Sequence, residues 1–136
     1  MNKNVLRIGN LVDCFGVCKV VGISLKKIKV KRKTDKGNYL IEKAPLDSLE
    51  LSPIKLTEKW LLYFGFELKY KDITTGLVKG CYLVESSILP HKTEWTFRKV
   101  MNSENSYSLS NIKYVHELQN LYFALTKKEL TRVDGF

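Results

Sequence analysis

Residues 27–33 read Lys-Ile-Lys-Val-Lys-Arg-Lys, and this alternation constrains the fold more tightly than any other stretch of the chain. A period of two belongs to an extended strand, whose side chains point to opposite faces in turn. Ile28 and Val30 are therefore expected to face a core, and Lys27, Lys29, Lys31 and Lys33 to face water. A slip of one residue would exchange the two faces, so the apolar pair fixes the register.

The flanking sequence extends the β pattern. Gly9-Asn10 is a turn pair ahead of Leu11-Val12, and Gly16 to Ile23 is rich in β-branched residues. Thr34 to Asn38 reads as a hairpin turn and "NYLIEKA" as the returning strand. A one-turn helix is expected at Pro45 to Leu49, then a short strand ending near Ile54. This order resembles that of small Src-homology-3-like β-barrels, an analogy of pattern that fixes no function.

The period changes after residue 55. In "KLTEKWLLYFGFE", Thr57 reads as an N-cap, Glu58 lies in the first turn, and Gly65 reads as the C-terminal cap. Trp60, Leu61 and Phe64 share one face. The two aromatics form either a stacking platform for bases or core, and helical spacing beside a leucine favours core. "FELKYKDI", "GCYLVESSI", "EWTFRKV" and "YSLS" read as an antiparallel meander, with turns at Thr74–Gly76 and Leu89–Lys92. The last element is a helix over 112–127, with Ile112, Val115, Leu118, Leu121, Tyr122 and Leu125 as its core stripe and His116 beside that stripe. The expected fold class is α+β. A barrel-like half spans 1–55, and an α+β half spans 56–136, together forming one compact unit.

Charge is unevenly distributed. Residues 1–36 hold ten Lys/Arg and two acids, whereas the remainder holds thirteen and twelve. Seven basic residues fall within the first basic tract: Lys26, Lys27, Lys29, Lys31, Arg32, Lys33 and Lys36. Such asymmetry points to an anionic partner. The competing explanation is that lysines protect an exposed sheet edge from pairing.

Few residues are arranged for covalent chemistry. Cys14, Cys18 and Cys81 form no Cys-x-x-Cys pair, and His91 and His116 lie far from them in sequence, which argues against a zinc site and for reduced thiols. "GLVKG" at 76–80 is too short for a phosphate loop, and "YSLSN" lacks the glycines of a nucleophile elbow. Acids are scattered singly. The expectation is a protein without catalytic activity, cofactor or metal. No apolar run approaches the roughly 20 residues of a membrane span, and "MNKNVLRIGN" is not a secretory signal, so a cytoplasmic location without membrane contact is expected.

Three stretches, "LRIGNLV", "PIKLTEKWLLYFGFE" and "IKYVHELQNLYFALTKKELT", together resemble an uncharacterised family of small proteins encoded by Bacteroidetes-type gut bacteria and their phages and prophages. The resemblance covers roughly a third of the chain and implies a cytosolic accessory protein, with no catalytic residues attached. Members of that family commonly carry Gly after the final "ALT", where this chain has Lys127. A left-handed helix cap is more costly there without glycine.

The sequence is read as a non-enzymatic binding module that offers a basic β surface to nucleic acid or another polyanion. Two alternatives stand beside it. One is a phage or prophage accessory protein that binds a host or phage protein, as in anti-defence. The other is a protein that sequesters a small anionic nucleotide.

Overall fold

The computed structural model describes residues 5–33, 37, 39–45, 51–86 and 94–133. Lys36, most of the Thr34–Asn38 turn, the one-turn helix after Pro45 and the Leu89–Lys92 turn with His91 lie outside the described residues. The elements in chain order are β1 (Leu11–Asp13), β2 (Val17–Ile23), β3 (Lys27–Lys33), β4 (Tyr39–Pro45), α1 (Glu58–Tyr63), β5 (Glu67–Lys71), β6 (Thr75–Lys79), β7 (Tyr82–Ser86), β8 (Trp95–Val100), β9 (Ser106–Ile112) and α2 (Val115–Thr126). The protein is α+β, with two antiparallel sheets of order β1-β2-β3-β4 and β5-β6-β7-β8-β9. It divides into two compact units, Met1–Ile54 with Tyr114–Glu129, and Lys55–Lys113 with Leu130–Phe136.

In the first unit, alternation sets the core. Val12, Cys18, Val20, Ile28 and Val30 point inward and pack with Leu6, Cys14 and Leu51. Ile28 and Val30 are wholly buried, as their spacing requires. The chain returns to β1 after β4, where Asp13 and Ser52 exchange both backbone hydrogen bonds at 2.9 Å. Among the described residues the sheet has β1 and β4 as its outer strands, and no pairing closes it into a barrel.

Helix α2 completes this first sheet. The sequence reading grouped it with the meander; in the structure it belongs to the N-terminal unit, and Ile112 ends β9 rather than starting the helix. The physical reason is polar. Gln119 Oε1 accepts from Leu11 N at 2.8 Å, and its Nε2 donates to Gly9 O at 3.2 Å. A side-chain amide thus occupies the place of a neighbouring strand's peptide and satisfies the backbone of β1. Asn10, fully buried, donates to Asn120 Oδ1 at 2.8 Å. Asn120 donates in turn to Val5 O at 2.8 Å, and Arg7 pairs with Glu129 while stacking over Phe123. The buried face of α2 is accordingly Val115, His116, Leu118 and Gln119. It is rotated from the expected leucine stripe, and Leu125 is 42% exposed.

The second unit holds the five-stranded meander and α1. Thr57 caps α1 by accepting from Trp60 N, and the helix ends in a Schellman motif. Gly65 takes φ 83°, Gly65 N donates to Leu62 O at 3.0 Å, and Phe66 N donates to Leu61 O at 3.0 Å. Leu61, Phe64 and Phe66 are buried, as are Leu77, Val84 and Phe97 of the sheet. Strand β6 runs through "GLVKG", a stretch in which the sequence shows no strand signal. Gly76 in β6 is required by its cross-strand partner Tyr70, because a Cβ there would fall 2.4 Å from the tyrosine ring.

Candidate functional site

The outward face of the first sheet is built by the same alternation that builds its core. On β3 it presents Lys27, Lys29, Lys31 and Lys33, of which Lys27, Lys29 and Lys33 are exposed and Lys31 is half-buried. The pairing register adds two more lysines. Lys19 on β2 lies directly opposite Lys31, and Lys43 on β4 directly opposite Lys29. Six lysines therefore share one face across three strands. Two of the cross-strand pairs are like-charged, an arrangement that destabilises a sheet unless an anion offsets it. Strand β3 is hydrogen-bonded on both sides, to β2 and β4, so its lysines do not protect a sheet edge.

The face is not flat. The β2–β3 register shifts between Val20 and Gly22, leaving Val21 as the extra residue of a bulge. Next to the bulge lies an open depression of ≈ 290 Å³ lined by Gly22, Ile23, Ser24, Lys27, Lys29 and Lys43. Ser24 closes the turn beyond it: Ser24 N donates to Lys27 O at 2.9 Å and Lys27 N donates to Ser24 Oγ at 3.2 Å.

The basic residues singled out in the sequence do not all meet. Lys27, Lys29, Lys31 and Lys33 line one face, and Lys26 sits exposed in the turn at its end. Arg32 falls on the opposite face by alternation and is paired with Glu42 at 2.7 Å, so its charge is already matched. Lys36 is outside the described residues. Lys19 and Lys43 lie outside the dense basic tract in sequence and join its face only through strand pairing. Pairing the two arms of the "TDKGN" hairpin would have placed Lys43 opposite Lys29.

The other reactive groups are not part of the lysine face. Cys14 and Cys18 are buried and Cys81 exposed, and none of the three is in a disulfide among the described residues. Burial, with Cys14 nearby, pushes the Cys18 thiol up to about 11, which suppresses the nucleophilic thiolate. His116 is buried and stacked parallel on Tyr114, and burial lowers its pKa. The Tyr70 hydroxyl bonds to Glu85, and burial followed by that bond pushes its pKa up to about 12. Trp60 is half-buried beside Phe64, and Arg132 covers both Trp60 and Tyr63 at 5.2 and 4.5 Å from the ring centres. Among the described residues no three potential metal ligands gather, and no helix is long and apolar enough to cross a membrane.

No protein-family model, curated protein or solved structure matches the chain.

Proposed function

We propose that the protein is a non-enzymatic binding module whose lysine face, formed by β2, β3 and β4, holds nucleic acid or another phosphate-rich ligand. The observation that carries this reading is the face itself, six lysines across three strands, with Lys29 directly opposite Lys43. Like charges placed opposite one another cost stability, and a bound polyanion is the partner that turns the cost into affinity. Contacts of this kind go to backbone phosphates, so binding is weakly sequence-selective and strongly salt-dependent.

The reading includes a cytoplasmic protein of the gut-bacterial and phage family named above, with a small Src-homology-3-like barrel as its first unit. The return of Ser52 to Asp13 supports the barrel, because a short last strand pairing with the first is what closes such a fold. A second reading is favoured by Phe15, which stands 68% exposed at the β1–β2 turn with a left-handed φ of 55°. Backbone strain at an exposed aromatic suits docking of a protein partner, as an accessory protein directed against host defence would need.

The test is a salt titration of binding to a generic DNA or RNA oligomer. The slope of log K on log salt should be about −0.7 to −0.9 per phosphate contact. Replacing Lys27, Lys29, Lys31 and Lys33 with Gln should flatten it without unfolding the protein. Absence of binding at low salt rejects the reading and leaves the protein partner.

A further inference from the structure

The lysine face has one place where its cations converge instead of forming a row. Lys27, Lys29 and Lys43 all line the ≈ 290 Å³ depression, and none of the three side chains has a hydrogen bond or ion pair among the described residues. We propose that this depression holds the terminal phosphomonoester of a nucleic-acid strand, an inference that rests on the nucleic-acid reading of the face.

Three observations support an end over a through-running backbone. The first is shape. The β2 bulge and Gly22 together open the depression, and a Cβ at Gly22 would already sit 3.3 Å from Lys29 Cβ. Ile23 and the hydrogen-bonded Ser24–Lys27 turn line it where β2 passes into β3. The second is size: at ≈ 290 Å³ the depression has room for a phosphate with its sugar. The third is charge. A phosphomonoester carries about −1.5 to −2 at neutral pH and offers three acceptor oxygens, against a single charge on a backbone diester. Three ammonium groups without a partner among the described residues, around one depression, match the monoester.

The experiment compares oligonucleotides of one sequence bearing a 5′-phosphate, a 3′-phosphate or hydroxyls at both ends, by fluorescence anisotropy at low salt. One phosphorylated end should bind about tenfold tighter than the hydroxyl form, the equivalent of ~1.4 kcal/mol. The preference should vanish in K29Q/K43Q and in G22A. It should persist in K33Q, which removes a lysine of the same row about 13 Å away. Circular dichroism of each variant checks the fold. Equal binding of all three oligonucleotides, with the salt slope intact, overturns the strand-end site and leaves the backbone reading standing. A preference that survives in K29Q/K43Q overturns its placement. Adenosine monophosphate competing as well as the phosphorylated oligonucleotide overturns the strand and identifies a free nucleotide. No binding of any oligonucleotide removes the broader reading as well.

Discussion

Lys29 and Lys43 face one another as direct cross-strand partners on β3 and β4, with no acid between them in the register. The pair sets stability against binding, which allows the two to be separated. Lys29→Glu converts a repulsive pair to an attractive one and should stabilise the fold by about 0.2–1 kcal/mol. The same change should weaken oligonucleotide binding and reduce its salt slope. Urea denaturation and a binding titration on one preparation check both signs; a loss of stability would mean that Lys29 holds a structural contact.

Lys127 ends α2 in the left-handed region at φ 61°, with its N–H donating to Phe123 O at 2.8 Å. A side chain in that conformation costs about 1–2 kcal/mol relative to glycine. Lys127→Gly should therefore raise stability by about 1 kcal/mol, whereas Lys127→Ala should not. Thermal melts of the two variants make the comparison.

His116 is 3% exposed, and its Nδ1 has no hydrogen-bond partner among the described residues. Burial lowers its pKa, so the folded chain resists a proton that the unfolded chain accepts near its usual value of about 6.5. Stability attributable to this residue is present above pH ~6.5 and declines as pH falls from there towards the lowered folded value. His116→Phe should remove that decline. Urea midpoints at pH 7.5 and pH 5.5, for both proteins, test it.

Leu118 is fully buried in α2, and Leu125 is 42% exposed two turns later. Leu118→Ala should cost about 2–5 kcal/mol. Leu125→Ala should stay within about 0.5 kcal/mol of the native protein. Equal losses in chemical denaturation would mean that the helix buries a wider stripe.

What the sequence disclosed was local. Ile28 and Val30 declared their face by period, and Thr57 and Gly65 marked the two ends of α1. Strand β6 was hidden because Gly76 and Gly80 look like punctuation. Gly76 is glycine for the sake of Tyr70, six residues earlier on another strand. The order of strands was equally silent: alternation shows that β3 has a wet face but not that it is paired on both sides. Gln119 and Asn120 broke no pattern that a helix reader would notice, since their partners lie 108 and 110 residues away. At the lysine face, the row on β3 was legible, but Lys19, Lys43 and the Gly22 depression depended on register and on one extra residue in β2.

The first sheet takes its finishing helix from beyond the entire meander, which is translated in between. At about 5–20 residues per second, Asn10 leaves the ribosome on the order of ten seconds before Asn120, its partner 110 residues on. Throughout that interval the backbone edge that Gln119 will satisfy is open on a nascent chain. Contacts of such sequence separation also slow folding, because loop closure precedes any gain from them. The meander, whose strands pair only with their immediate successors, is free of this delay. The first sheet therefore depends on contacts 108 and 110 residues long to satisfy the backbone ahead of β2.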